Sequence, residues 1–358
     1  MGLLLTEAGG LSSDVLSAER FDLAGQHSAA IDSLVAGVRK QDIEAGTRLG
    51  KRLLIGDRAP QLPREAIGFL SDARQGGGAE AAAVLAVCYA TGVTGQPDLQ
   101  AAMVSLVISA ERGWSSAREQ ICVLAGDAGL AAADPLSTAP GHWQRLAQRI
   151  DLNEWQRAPV GLDLNVSPLL RSYAAFIPPH VCRWIIRRAQ GRLTPALVYD
   201  AGSRQTTTHP TRTNTWAVFN LLETDLVCVL VQWRMAACLG SPFRHLEAMT
   251  VLNYQIGEQI SEHFDFVDPN IPNYTEQLRV RGQRIVTFLV YLNDDYAGGQ
   301  TQFPRLGISH QGSTGEGFFF VNALADGSPD VRSLHAGRAP LTGQKWIISQ
   351  FIKNQDAF

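Results

Sequence analysis

The sequence predicts an α+β chain, with an N-terminal all-α repeat domain followed by a β-sandwich or barrel with flanking helices. Three observations point there. Residues 1–130 are rich in Ala, Gly and Leu at helical spacing, with few β-branched runs. Within them, small and apolar residues recur at an interval of 36. Past residue 168 the texture changes to helices and then to short β-branched and aromatic segments cut by Gly and Pro.

A length of 358 residues suits two domains of ordinary size. With 45% hydrophobic and 18% charged residues, the chain can fill real cores. A net charge of −3 gives no reason to expect nucleic acid as a partner. No stretch approaches the roughly 20 apolar residues of a membrane helix. The start, MGLLLTEAGG, has no basic region and its apolar run stops at Glu7, so no secretory signal is expected. The five cysteines (Cys88, Cys122, Cys182, Cys228, Cys238) are scattered, without a CxxC pair. They read as small buried residues in a reducing compartment, which places the protein in the cytoplasm.

In the first domain, Ala45, Leu49, Gly56, Ala66, Leu70 and Gly77 recur as Ala81, Leu85, Gly92, Ala102, Leu106 and Gly113. A third copy begins at Ala117 and Ile121. Small residues at fixed offsets let paired helices approach closely, and each pair buries its apolar face on the next. This segment resembles Sel1-like repeats, relatives of the tetratricopeptide family; an Ala-rich bundle with coincidental self-similarity is the other reading. Residues 131–167 read as a linker, turn-rich around GDAGLAAADPLSTAP, with a short helix over 142–150. The second domain, 168–358, opens with helices over 179–190 and 222–239. Strands follow over 248–256, 284–292, 317–321 and 345–352.

His263 and Asp265 stand two apart in SEHFDF, so in extended chain they share one face. An imidazole and a carboxylate so placed can grip one metal ion. His335 in SLHAG, ahead of another strand, offers a third ligand. Two His and one carboxylate on one octahedral face leave three positions open, as in non-haem iron(II) oxygenases. Alone this is weak, because eight His and 34 acids produce one HxD pair by chance.

The surrounding residues change that. Tyr254 lies nine residues before His263, and RGQRIVTFLVYLND runs from Arg281 to Asp294. Gly298, Gly299, Thr301, Phe303 and Pro304 form a GG-x-T-x-F-P turn, and GFFFVN ends at Asn322. SLHAGRAPLTGQKW places Lys345 ten residues after His335. From about residue 168 to the end, with motifs between 254 and 353, the chain resembles the prolyl 4-hydroxylase branch of the 2-oxoglutarate oxygenases.

The resemblance implies a double-stranded β-helix (jelly-roll) oxygenase domain. It implies iron(II) held by His263, Asp265 and His335, with 2-oxoglutarate as cosubstrate and L-ascorbate as reductant. Two of the open metal positions would take the oxo-acid. Its distal carboxylate, a buried charge, needs a cation and donors. Lys345 would be the cation, and Thr301, Tyr254 and Tyr291 the neighbouring hydroxyls. Thr301 reads equally as a turn threonine and Tyr254 as a core tyrosine. Decarboxylation of the oxo-acid would be coupled to hydroxylation of a C–H bond. A carboxylate at 265, rather than a small residue that opens a halide site, favours hydroxylation over halogenation.

Arg284 matches the family's substrate-contacting arginine, and reads equally as a charged residue at a strand start. The family's second substrate contact, often His, is here Lys353; Phe351 and Ile260 also depart from the pattern. Two loops, 268–283 and one around RTNTW at 212–216, are expected to cover the site mouth. His209 and His310 read as surface loop histidines. Three functions stay open: hydroxylation of a prolyl residue in a peptide or protein docked by the repeats, hydroxylation of a free amino acid or small metabolite, or a repeat-based interaction protein with a vestigial oxygenase domain.

Overall fold

A computed structural model of the chain describes residues 11–126, 139, 141–200, 205–207, 209–271 and 274–357. The sequence start and most of the turn-rich stretch after Gly126 lie outside the described residues. The chain divides between residues 150 and 151 into two compact units.

The first unit holds helices α1 (Ser13–Leu23), α2 (His27–Arg39), α3 (Ile43–Ile55), α4 (Pro63–Gln75), α5 (Ala79–Thr91), α6 (Leu99–Glu111) and α7 (Ser115–Leu124). The 36-residue interval is the period of helical pairs, with α3 on α4 and α5 on α6. Ala45, Leu49, Ala66 and Leu70, and their counterparts Ala81, Leu85, Ala102 and Leu106, are all buried. Gly56 and Gly92 close α3 and α5 in the left-handed conformation, with φ of +73° and +66°. A Cβ on Gly92 would stand 2.7 Å from Pro97, so the tight exit into the next helix requires glycine there. Ala117 and Ile121 of α7 are buried in the same way. A short helix, α8 (His142–Ala147), packs on α6 and α7, its Trp143 N–H donating to Glu111 at 3.1 Å.

The second unit begins inside the stretch expected as linker. Strand β1 (Leu162–Val166) pairs with β2 (Leu169–Tyr173). Helix α9 (Pro179–Gln190) follows, then β3 (Thr194–Pro195), the hairpin β4 (Val198–Asp200) and β5 (Gln205–Thr207), and β6 (Thr215–Phe219). Helix α10 (Leu226–Leu239) starts four residues later than expected because Asp225 caps it, accepting from the Cys228 N–H at 3.0 Å. Then come β7 (Met249–Tyr254), β8 (Ile260–His263), helix α11 (Thr275–Arg281) and β9 (Arg284–Tyr291). The remaining strands are β10 (Ala297–Gly298), β11 (Thr301–Phe303), β12 (Ile308–His310), β13 (Gly317–Val321), β14 (His335–Gly337), β15 (Pro340–Thr342) and β16 (Lys345–Lys353).

Eight strands form one sheet in the order β1-β2-β13-β9-β16-β7-β6-β3, and four form a second in the order β12-β11-β14-β8. Their facing side chains share one core. Leu252, Tyr254, Tyr291, Phe318, Phe320 and Ile347 of the large sheet meet Phe303 of the small one. This is the antiparallel double-sheet arrangement of a jelly roll. Strand alternation sets which residues face the space between the sheets. On β16 these are Lys345, Ile347, Ser349 and Phe351, and on β7 Leu252 and Tyr254.

Candidate active site

The small sheet brings three side chains together. His335 of β14 stands opposite His263 of β8 in the antiparallel ladder, and Asp265 follows two residues after His263. The two imidazole centroids are 4.3 Å apart. Each ring is oriented by its own chain, because Nδ1 of His263 donates to the Ser261 carbonyl at 2.8 Å and Nδ1 of His335 to the Ser333 carbonyl at 3.0 Å. That fixes the tautomer and turns both Nε2 atoms towards Asp265. His263 Nε2 lies 3.3 Å from Oδ1 of Asp265, and His335 Nε2 lies 3.4 Å from Oδ2.

The ligating atoms of the three residues all lie within 4.8 Å of one another. Ligands about 2.1 Å from a shared ion and at right angles stand about 3 Å apart, so the set can hold one metal on an octahedral face. Burial works to raise the Asp265 carboxyl, but the charge and hydrogen bonds of His335 and His263 outweigh it and hold the group well below its ordinary range. Burial, helped by His335, pushes His263 below its ordinary value. Both shifts run towards the deprotonated forms that a metal ligand must adopt. Thr287 of β9 donates to Asp265 Oδ2 at 2.7 Å, and Asn322 donates to the Thr287 hydroxyl at 2.8 Å.

A cavity of about 630 Å³ joins this cluster to Lys345. Lys345 is 2% exposed, stands opposite Tyr254 in the ladder, and donates to the Gly299 carbonyl at 2.8 Å. Its Nζ lies 5.5 Å from the Tyr254 ring centroid and 5.3 Å from that of Tyr291. No carboxylate of the described residues pairs with it, and burial alone pulls its pKa down to about 7. Thr301 shares the cavity. Tyr291 is fully buried behind it, its hydroxyl 3.0 Å from Thr301 Oγ1, so it bears on the cavity through Thr301. Burial raises both tyrosines, Tyr254 to about 12, so their hydroxyls keep the proton. A buried ammonium without a counter-ion, with two tyrosine rings beside it and Thr301 on the same cavity, fits the distal carboxylate of an oxo-acid.

The substrate side differs from expectation. Arg284 reaches the cavity, but Glu247 takes its guanidinium in a two-pronged pair at 2.8 and 2.9 Å, and the charge lies 3.7 Å over the Phe351 ring. Lys353 is not on the cavity wall. The ladder shifts register between Ile352 and Lys353, bringing Lys353 opposite Arg284, and its buried ammonium stands 3.5 Å from the same Glu247. Glu247 was invisible in the sequence, where nothing marks an acid on the connection before β7 as a partner for two cations far downstream.

Arg212, expected only as part of a loop, lines the cavity over Trp216 at 4.7 Å, where it feels the charge of Asp265 but makes no ion pair at contact distance among the described residues. Tyr274 also lines the cavity, from within the loop 268–283, of which residues 272–273 lie outside the described ones. His310 is not a loop residue. It sits in β12, bonded to Glu316 at 2.8 Å and stacked on Phe318. His209 is exposed.

Residues 249–353 match the model of the 2OG-Fe(II) oxygenase superfamily. Over 211 residues the chain is 30% identical to the probable prolyl 4-hydroxylase 9 of Arabidopsis thaliana, a match covering 54% of this chain and 71% of the plant protein. It is 33% identical over 164 residues to the rat (Rattus norvegicus) prolyl 4-hydroxylase subunit alpha-1, covering 46% of this chain but only 30% of that subunit. Among solved structures, a Sel1 repeat protein from Oxalobacter formigenes is similar at a TM-score of 0.30 and 17% identity, covering 41% of this chain and 58% of that one.

Proposed function

The chain belongs to the prolyl 4-hydroxylase family of 2OG-Fe(II) oxygenases, and from that premise we propose that it hydroxylates a prolyl residue in a peptide or protein. One observation carries the reading: the His263–Asp265–His335 cluster, with Asp265 and His335 buried and His263 half-buried, opens into the same cavity as a buried lysine without a counter-ion among the described residues. In this reading His263, Asp265 and His335 bind iron(II), and Lys345 with Thr301 and Tyr254 anchors 2-oxoglutarate. With iron(II) bound, dioxygen would be the oxidant: one of its oxygen atoms would enter the C–H bond to give C–OH, the other would enter 2-oxoglutarate, which leaves as succinate and carbon dioxide. The protein's own share is to orient and to exclude water. The side chains of Trp216, Phe264, Phe266, Tyr274 and Phe351 give the cavity an aromatic lining suited to a proline-containing segment. L-ascorbate serves as reductant for adventitiously oxidised iron, and the helical repeats dock the substrate protein.

Four of the five cysteines are buried and all are free, which supports a reducing cytoplasmic setting. No helix among the described residues is long and apolar enough to cross a membrane. A second reading keeps the chemistry and takes a free amino acid or another small carboxylate as substrate. Arg212, on the cavity wall and in no contact ion pair among the described residues, is the observation that favours it.

Succinate release from 2-oxoglutarate by anaerobically purified protein with iron(II) and oxygen tests the chemistry. Adding proline-containing peptides or free amino acids in parallel then separates the two substrates. Stimulation by peptides alone supports the prolyl reading, and stimulation by amino acids alone overturns it.

A pH dependence follows from Lys345. Its free pKa near 7 means that most of the ammonium is lost above neutral pH, so binding a carboxylate there must take up a proton. The Kd for 2-oxoglutarate is therefore expected to be flat below about pH 7 and to weaken up to about tenfold per pH unit above it. Calorimetry with a redox-inert metal checks this; affinity unchanged between pH 7 and 9 would show that the charge of Lys345 is not what binds.

A further inference from the structure

Asp265 is the one carboxylate among the three candidate ligands, and it is held by more than its neighbours in the cluster. An ionised carboxylate only accepts hydrogen bonds, so the 2.7 Å contact from Thr287 must carry the threonine's proton. With that proton committed, Thr287 Oγ1 faces Asn322 as an acceptor, and Asn322 must present its amide N–H there, at 2.8 Å. The chain of bonds therefore has one polarity, from Asn322 through Thr287 to Asp265. All three residues are buried, with Asn322 at 0% and Thr287 at 1% exposure.

Asn322 also reaches the other side of the cluster. Its backbone carbonyl accepts from the Asp330 N–H at 2.8 Å, and the Asp330 backbone carbonyl accepts from the Ser333 hydroxyl at 2.7 Å. The Ser333 carbonyl in turn accepts from Nδ1 of His335. The Asn322 backbone N–H is anchored on β9, donating to the Ile285 carbonyl at 2.8 Å. One residue at the end of β13 is thus connected to a ligand on each of two different segments.

We propose that Asn322 and Thr287 are positioning residues that set the Asp265 carboxylate for metal binding, with Asn322 linking Asp265 to His335 through the 330–333 turn. Among the described residues, Thr287 is the large-sheet side chain that donates to Asp265. The side-chain amide works as a donor only, since its Oδ1 has no hydrogen-bond partner among the described residues. The inference rests on the reading of His263, Asp265 and His335 as a metal site, and deepens it.

Cobalt(II) titration of the apo-protein, followed by visible absorption and calorimetry, tests it without recourse to turnover. Thr287→Val keeps the shape and removes the donor; outer-sphere losses of this kind cost about 10- to 100-fold in metal affinity. Thr287→Ser should restore most of it. Asn322→Asp is near in shape but presents an acceptor, so the threonine's proton is drawn off Asp265 and affinity falls as in Thr287→Val. Because both act through one chain of bonds, the double variant should bind no more weakly than the worse single one.

Wild-type affinity in Thr287→Val and Asn322→Asp, or losses that add in the double variant, would overturn the proposal. A wild type that binds no cobalt would instead remove the metal reading itself, and this proposal with it. Melting curves of the apo-proteins separate a folding defect from a binding one, and if Thr287→Val does not fold, Asn322→Asp and Thr287→Ser carry the test.

Discussion

In the His335→Ala variant, 2-oxoglutarate turnover is expected to fall to the uncatalysed background, a loss of roughly a thousandfold or more, or at least about 4 kcal/mol in barrier. The ring is 6% exposed and carries one of the two candidate nitrogen ligands of the cluster. Its removal leaves one imidazole and one carboxylate, which hold a divalent ion weakly and no longer define an octahedral face. Asp265 also loses the partner that does most to keep it ionised. The imidazole packs against Phe303 and Phe320, at centroid distances of 5.6 and 4.6 Å, so truncation leaves a small void as well. Metal content and succinate release should fall together while the helical signal of the repeats is kept. Retained turnover would mean that the ion is held elsewhere.

Lys345→Ala should separate the two halves of the site. Losing one partner of a buried, hydrogen-bonded charge pair costs about 2–5 kcal/mol, so 2-oxoglutarate affinity is expected to fall roughly 30-fold or more. Metal binding should hardly change, because Lys345 reaches Gly299 and the two tyrosine rings and makes no bond to the ligand cluster. Lys345→Arg is no rescue. The added bulk has to fit where Gly299, at φ +69°, brings the backbone against the lysine stem, a built Cβ there lying 3.4 Å from Lys345 Cδ. Equal loss of cobalt and 2-oxoglutarate binding in Lys345→Ala would make the lysine a structural residue. Titration of each ligand separately decides.

The local parts of the site were legible because they are short-range. The pair at 263 and 265 shares a face by strand alternation, and the same alternation puts Lys345, Ile347, Ser349 and Phe351 of β16 on the cavity wall. The repeat interval of 36 was equally legible, since the same small residues close the same turns in α3–α4 and α5–α6. Lys353 shows where this stops. Counting by twos from Lys345 puts it on the cavity face, yet an irregularity in the β9–β16 ladder turns it to Glu247. A skipped ladder partner leaves no mark in the sequence of the strand it affects.

By itself, the sequence determined the division into helical repeats and a strand-rich half, the identity of the three candidate ligands, and the buried lysine that accompanies them. The division follows from periodicity, and the ligands and the lysine from the motifs that resemble the prolyl 4-hydroxylases, since one HxD pair by itself arises by chance. The tertiary structure decided which charges remain available. Glu247 engages Arg284 and Lys353, while Arg212 faces the cavity and Asn322 reaches Asp265 through Thr287. Each of these depends on which residues from distant segments fall within 3–4 Å of one another in a low-dielectric interior, where one proton or one counter-ion changes what a side chain can do.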